Sequence, residues 1–464
     1  MSKSAKKYIV YGLGLSGISA AKSLQKSGYN IVATDDNEKN IIDNSAKYPN
    51  IQFKKFAELE FDADTIISFA PGIPLYYPSR HKILDISTKT KAQLVCDIEI
   101  FYNFNSREND FIGITGTNGK STTTALIGFI FDKLNLAGQI GGNIGIPCFD
   151  LPQNVKNFSY ILEVSSFQLD LLAKAKFSIA CLTNITPDHI DRHGSLANYI
   201  AAKKRIFNNQ HPEDFAIISN DDETCLQIYN QFLSKNFKAQ PLAISTKAVD
   251  QDRQGVYMVN NLVYINLHKQ KLTLPIKPLL KGDHNYQNMA FAIAATCCSL
   301  IKKNQFNQEN ILKIISIIEE FKGLKHRLQL VKTLGNINFI NDSKATNAES
   351  TLNALKAYSN IFWIVGGKAK EGGLTILKNH FSAIKKAYLI GESSEAFGEF
   401  LQHNSVNFVK CHDLNNAFNM AFNDAKNDSS TEKNLILSPA CASFDQWKNF
   451  EERGDFFCKL VNEL

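Results

Sequence analysis

Seven consecutive residues, Gly116-Thr117-Asn118-Gly119-Lys120-Ser121-Thr122, combine the types needed to hold a phosphate chain. Glycines let backbone N–H groups turn inward on phosphate oxygens. Lys120 can reach outer phosphates, and the Ser121 or Thr122 hydroxyl can hold a divalent cation. The run follows an apolar strand-like stretch, FIGIT at 111–115, and opens a helical pattern. A helix N-terminus there adds its positive end. The strict phosphate-loop pattern asks for glycine at position 114, where Ile114 stands. The strand–loop–helix context fits although the letter pattern does not.

Two further groups sit just after or within strand-like runs. Glu163 closes YILEV at 160–164, and Asp188-His189 follow SIACLTNI at 178–185. If these strands are parallel neighbours of FIGIT, then Lys120, Glu163 and His189 meet at one sheet edge. A hard cation bridging phosphates takes carboxylate oxygen and accepts imidazole. The plainer alternative is a satisfied strand-end acid and a loop histidine. His189 and His193 also suggest zinc, but the segment follows a strand and a proline, and no third or fourth ligand stands out.

Gly12-Leu13-Gly14-Leu15-Ser16-Gly17 matches the G-x-G-x-x-G dinucleotide fingerprint. The apolar run 8–11 precedes it, and a helical pattern at Ile18, Ala21 and Leu24 follows. Asp35 and Asp36 close a second strand, 30–34, where an acid could grip a ribose. Alone, this motif points to a nicotinamide dinucleotide. That reading leaves the second phosphate loop idle.

These residues need rigid elements behind them. Continuous apolar runs at 8–11, 30–34, 65–69, 111–115, 160–164, 178–185, 215–219, 361–366, 387–391 and 434–438 alternate with helical patterns. Such a pattern predicts α/β architecture with parallel sheets covered on both faces. Residues 255–274 alternate polar and apolar around Asn260-Asn261, which predicts an antiparallel hairpin. At 464 residues the chain exceeds one ordinary domain. Three blocks are expected: 1–96, 97–322 and 323–464.

The net charge of +6 is spread without a dense basic tract, which argues against nucleic acid as a partner. The longest uncharged apolar stretch, 289–301, is shorter than the roughly 20 residues a membrane helix needs and reads as a buried helix. The N-terminal stretch MSKSAKK is basic, but Gly12 interrupts any signal-peptide core. Nine cysteines without a C-x-x-C pair favour reduced thiols in a cytoplasm over a disulfide framework.

The ordered motifs TGTNGKSTTTA, GGNIGIP, LEVSSFQLD, NITPDHIDRHG and LKGDHNYQN resemble the ATP-binding core of the Mur ligases. These are the amide-forming enzymes of bacterial cell-wall precursor synthesis. His326-Arg327, NDSKATN (341–347), GGKAKEGG (366–373) and SPACASFDQWKNFEERG (438–454) resemble the D-glutamate-adding branch. The resemblance implies three domains: a Rossmann-like N-terminal one, a P-loop ATPase-like central one and a Rossmann-like C-terminal one. It implies ATP and Mg²⁺ as cofactors, and UDP-N-acetylmuramoyl-L-alanine and D-glutamate as substrates. An acyl phosphate would form and be attacked by the amine. A cytoplasmic monomer without membrane insertion is expected.

The resemblance also assigns residues. Gly116, Thr117, Asn118, Gly119, Lys120, Ser121 and Thr122 would hold the ATP phosphates. Ser121, Glu163 and His189 would hold Mg²⁺, and Asn143 and His189 would meet the muramoyl substrate. Lys203 matches a lysine the family carries as a carbamate, an anionic ligand for a second Mg²⁺. From the residues alone Lys203 is an exposed lysine on a basic helix, with Lys204 beside it. Asn285 and Asn288 match residues around adenine; Arg327 and Asp342 match residues that close over the nucleotide. Lys344, Thr346 and Lys370 would grip one D-glutamate carboxylate, with Ser443, Phe444 and Phe450 around the other. Ser443 could instead cap the next helix, and Phe450 could serve packing. Leu15, Ser16 and Asp35 would contact uridine diphosphate. Ala70-Pro71-Gly72 stands where the family often has Ser-Pro-Gly, and Asn37 where some members have arginine.

Overall fold

The computed structural model describes residues 6–234, 237–250, 252–280, 282–369 and 373–464. They form three sheets in two compact units, Met1–Lys277 with Tyr286–Glu319 and Pro278–Asn285 with Glu320–Leu464. The α/β architecture expected from the alternating runs is present.

The first sheet has five parallel strands in the order Gln52–Phe53, Asn30–Thr34, Lys7–Tyr11, Thr65–Phe69, Gln93–Val95. Tyr11 pairs with Thr34 on one side and Phe69 on the other, so three strands end level. The strand order reverses beside Lys7–Tyr11, which opens a crevice at the carboxyl ends. Two glycines make the following turn possible. Gly12 has φ 100°, and a Cβ on Gly17 would lie 1.9 Å from the Gly12 oxygen. The helix Leu15–Lys26 can therefore start hard against the strand.

The second sheet has nine strands. Seven run parallel in the order Gly255–Val259, Gln240–Ser245, Phe215–Ser219, Ile179–Leu182, Asp110–Thr115, Ser159–Glu163, Gly138–Gly142. Asp110–Thr115 thus lies between the strands that carry Glu163 and lead to His189, as the parallel-neighbour reading requires. Gly138–Gly142 has no apolar run to announce it. Its glycines are needed because a Cβ on Gly138 would sit 2.8 Å from Phe131, and one on Gly141 2.7 Å from the Ile146 oxygen.

The expected hairpin is a three-stranded meander, Gly255–Val259, Leu262–Leu267 and Gln270–Pro275. Asn260 and Asn261 both have positive φ, as a two-residue hairpin turn demands. His268 and Lys269 do the same at the second turn, with side chains that give no turn signal. The stretch 289–301 lies in the helix Asp283–Lys302, buried as expected. Among the described residues no helix is long and apolar enough to cross a membrane.

The third sheet occupies the second unit. An antiparallel pair, Gln329–Leu334 and Ile337–Asn341, leads into parallel strands Lys433–Leu437, Ile361–Gly366, Ile384–Ile390 and Phe408–His412. Trp363 is fully buried there and donates its indole N–H to the Ser438 oxygen at 2.8 Å.

Candidate active site

The strand Asp110–Thr115 delivers the chain to Gly116, whose φ of 152° leaves no room for a side chain: a Cβ would lie 1.9 Å from Thr183 Oγ1. The loop is then tied to the neighbouring strand end. Thr117 N donates to the Asn184 oxygen at 2.9 Å, and Asn118 N to Asn184 Oδ1 at 2.8 Å. Gly119 takes φ 83° and precedes the helix Lys120–Lys133, with no side-chain cap on its first N–H groups. A helix N-terminus reached through such a glycine turn suits an anion. A Cβ on Gly119 would lie 2.4 Å from Asn288 Oδ1, so Asn288 packs directly beneath the loop. Thr123 Oγ1 donates to the same oxygen at 3.2 Å. Asn285 lies one turn earlier on Asp283–Lys302.

Lys120 Nζ donates to the Gly116 and Thr117 oxygens at 2.9 and 2.7 Å. Lys203 Nζ donates to the same Gly116 oxygen at 2.7 Å. Reading Lys203 from residues alone as exposed is therefore wrong; it is 1% exposed, with its amine 4.5 Å from the Tyr199 ring centroid. Burial, and then the Lys120 charge, hold its pKa well below the ordinary lysine range. Lys204 points elsewhere, donating to Gln231 Oε1 at 2.8 Å.

Glu163 ends its strand buried. Its Oε1 accepts from Asn143 Nδ2 at 3.0 Å, while Oε2 has no hydrogen-bond partner among the described residues. His189 sits in the left-handed region at φ 53°, its ring 5.1 Å from Phe167. A cleft of about 290 Å³ is lined by Lys120, Asn143, His189 and Lys203, with Pro71 and Gly72 from the first sheet's crevice. His193 turns away from it. Its Nε2 lies 2.9 Å from Ser166 Oγ, and burial and nearby cations bring its pKa to about 4. Among the described residues the cluster of three or more side chains that could hold a metal is His211, Glu213 and Asp214. There Asp214 is already paired with Lys176 and Lys302.

At the first crevice Leu15 and Ser16 begin the helix, Leu15 fully outward at 84% exposed. Asp35 is committed to the backbone: Oδ2 accepts from Leu13 N at 2.7 Å and Oδ1 from Asn37 N at 2.9 Å. Asp36 accepts from the Tyr11 hydroxyl at 2.6 Å. Asn37 caps the helix Glu38–Lys47 by accepting from Lys39 N. Open space faces Gly14, where a Cβ would meet nothing within 4 Å.

In the second unit, two loops follow the adjacent strands Ile337–Asn341 and Lys433–Leu437. Asp342 is buried. Its Oδ2 accepts from Ser438 Oγ at 2.6 Å and its Oδ1 from Leu328 N at 3.1 Å. Burial raises its pKa to about 7 against those bonds. Arg327 lies one residue before Leu328 and adds a further lowering influence on Asp342. Lys344 Nζ stands 3.8 Å from the Phe450 ring centroid, and Thr346 N donates to the Lys344 oxygen at 2.8 Å. Ser443 does not cap a helix. The helix Phe450–Asn462 begins seven residues later, capped by Asn449. Ser443 is buried, and its oxygen accepts from Gln446 N and Trp447 N. Phe444 is 70% exposed. Lys370 lies outside the described residues.

Two arginines escaped the reading of the sequence because charged residues in loops and helices read as surface. Arg453 is 1% exposed and donates to Ser343 Oγ, the Ser343 oxygen and the Cys441 oxygen at 2.9–3.1 Å. It thereby joins the two loops of the second unit. Arg192 donates to the Pro71, Gly72 and Ile73 oxygens in the first unit.

A glycine-rich strand–loop–helix turn, a buried lysine on its carbonyl and a second glycine crevice form the arrangement expected of a Mur ligase. Residues 114–296 match the Mur ligase middle domain. Solved structures of similar fold include the UDP-N-acetylmuramate-alanine ligase of Thermotoga maritima, with TM-score 0.55, 16% identity and 99% of each chain covered. MurF of Acinetobacter baumannii gives TM-score 0.57 at 16% identity, covering 86% of this chain and 85% of its own. Curated relatives named UDP-N-acetylmuramoylalanine–D-glutamate ligase are nearer in sequence. That of Wolbachia pipientis wMel is 36% identical over 98% of this chain and 96% of its own length. That of Rickettsia bellii is 38% identical over 98% and 97%, respectively. The chain belongs to the Mur ligases and, within them, to the UDP-N-acetylmuramoylalanine–D-glutamate ligase family.

Proposed function

We propose that this chain joins D-glutamate to UDP-N-acetylmuramoyl-L-alanine in an ATP-dependent, ADP-forming reaction of peptidoglycan precursor synthesis. The observation that carries the reading is the pair Lys120 and Lys203 on the Gly116 oxygen, at the mouth of a helix N-terminus. A carboxylate is a poor electrophile. Transfer of the ATP γ-phosphoryl group to the L-alanyl carboxylate gives an acyl phosphate and ADP. The D-glutamate amine attacks the acyl carbon, phosphate leaves, and the amine's protons pass to bases or solvent.

Gly116 to Thr122 hold the ATP phosphates in this account, with Lys120 offsetting charge on the transferring group. Lys120 must then leave the loop oxygens it now satisfies. Asn285 and Asn288 serve the adenosine end, and Arg327 and Asp342 are assigned to the nucleotide as well. Ser121, Glu163 and His189 would hold Mg²⁺, and the orphaned buried oxygen of Glu163 supports a cation there. Mg²⁺, when bound, supplies charge neutralisation at phosphoryl oxygens. The buried, electrically disfavoured amine of Lys203 supports carbamate formation: neutral amine attacks carbon dioxide, loses a proton and becomes an anionic oxygen ligand. Asn143, held by Glu163, orients the muramoyl end beside His189.

The crevice beside Gly12, Leu15, Ser16 and Asp35 takes the uridine diphosphate, and the open face of Gly14 lets the phosphates approach the backbone. Asp35 serves by holding the loop rather than by offering a bare carboxylate. Lys344, Thr346 and Lys370 take one carboxylate of D-glutamate, with Ser443, Phe444 and Phe450 at the other. The work divides among segments 1–96, 97–322 and 323–464. The test is ADP release with the UDP-linked acceptor and a panel of L-, D- and diamino acids. D-glutamate alone should support it. Equal or better turnover with a diamino acid contradicts the assignment.

A further inference from the structure

Arg192 donates to three successive main-chain oxygens: Pro71 at 3.1 Å, Gly72 at 3.4 Å and Ile73 at 3.0 Å. These belong to the turn after the strand Thr65–Phe69, which borders the crevice of the first sheet. The turn is packed on the fingerprint loop. Ala70 N donates to the Tyr11 oxygen at 2.8 Å, and a Cβ on Gly12 would lie 2.4 Å from the Ala70 Cβ. Ala70 has no hydroxyl with which to fasten the turn, so the guanidinium supplies the side-chain anchor.

The other end of Arg192 is at the catalytic cleft. Its N donates to the His189 oxygen at 3.0 Å, and its guanidinium lies 4.3 Å from the Phe167 ring centroid. That same ring is 5.1 Å from the His189 ring. Hence Gly12, the turn 70–73, Arg192 and His189 form one chain of direct contacts. A planar fork of donors suits three carbonyls, and a lysine cannot reproduce it. His189 itself is in a left-handed conformation at the start of a four-residue helix, Ile190–His193, so its direction depends on such outside support.

We propose that Arg192 is a positioning residue that couples occupation of the crevice beside Gly12 by the substrate's diphosphate to the alignment of His189 in the catalytic cleft. The coupling rests on the proposed function for its ligand. It makes turnover favour acceptors that carry the nucleotide end, because filling the crevice settles the turn and, through Arg192, the His189 segment.

Hydrogen–deuterium exchange on the whole chain, with and without UDP, tests the coupling in wild type, Arg192→Ala and Arg192→Lys. In wild type, UDP should protect 12–17, 70–73 and 186–194. In Arg192→Ala, protection should persist at 12–17 and vanish at 186–194, with Arg192→Lys between. Turnover gives the second readout. With the UDP-linked acceptor, Arg192→Ala should lower kcat about ten- to a hundredfold, the scale of a small misplacement of reacting groups. Its KM should stay within about threefold, and kcat on an acceptor lacking the uridylyl group should change far less. Failure of UDP to protect 12–17 in wild type contradicts the diphosphate reading and the coupling with it. Protection at 12–17 that never reaches 186–194, or an equal kcat loss with both acceptors, overturns the coupling alone.

Discussion

Lys203 and Lys120 donate to a single acceptor, the Gly116 carbonyl oxygen, at 2.7 and 2.9 Å. Two ammonium groups at one oxygen repel each other, and the buried one is the more easily deprotonated. Burial and the neighbouring Lys120 charge both favour the neutral amine of Lys203 over its ammonium form.

Lys203→Ala is therefore expected to abolish turnover, and bicarbonate or short carboxylic acids in the assay should restore part of it. Wild-type enzyme prepared free of carbon dioxide should lose activity and regain it with bicarbonate. ADP release by the plain alanine variant at the wild-type rate contradicts the carbamate.

Glu163→Gln keeps the shape and leaves an amide oxygen for Asn143, but removes the charge at the orphaned Oε2. The loss in activity or in apparent Mg²⁺ affinity should exceed the roughly 10- to 100-fold typical for an outer-shell partner. Steady-state rates over a Mg²⁺ titration check this, and an unchanged Mg²⁺ curve speaks against Glu163 as a ligand.

Asp342 gives a stability prediction with a definite sign. Its folded pKa is about 7 against an ordinary 3.8, mainly through burial. The folded protein keeps the proton across that window while the unfolded chain releases it. The group's stabilising contribution is full below the lower value and is lost as pH rises through the upper one, by up to about 4 kcal/mol. Asp342→Asn should flatten this slope. Urea midpoints measured on either side of the window check it, and identical slopes in the two proteins refute it.

Arg453 ties Ser343 to Cys441 and should matter twice. Arg453→Met removes three bonds to a charged donor and should cost about 3 kcal/mol or more of stability. It should also raise KM for D-glutamate, since Lys344 and Ser443 flank the residues it holds. Denaturation curves and amino-acid titrations test both effects; wild-type values in both contradict the tie.

The phosphate cradle was legible because its pieces are local: an apolar strand, glycines, a lysine and a helix in unbroken succession. The approach of Glu163 and His189 to it was legible once parallel neighbours were assumed, since strand ends share one edge. The burial of Lys203 was not. Its helix, Leu196–Lys204, has apolar residues on all sides, and only tertiary packing decides which lysine turns inward. Arg192 and Arg453 were invisible for a related reason: their partners are main-chain oxygens of distant loops, which leave no pattern in side-chain types. The fingerprint 12–17 was legible as a glycine turn between strand and helix; that the Asp35 oxygens hold the Leu13 and Asn37 N–H groups was not.

The most direct test of the account is phosphate release from ATP with each substrate omitted in turn. The account predicts release only when the UDP-muramoyl-L-alanine acceptor and D-glutamate are both present, with one UDP-linked dipeptide formed per ADP. Release at the same rate without either substrate would contradict it.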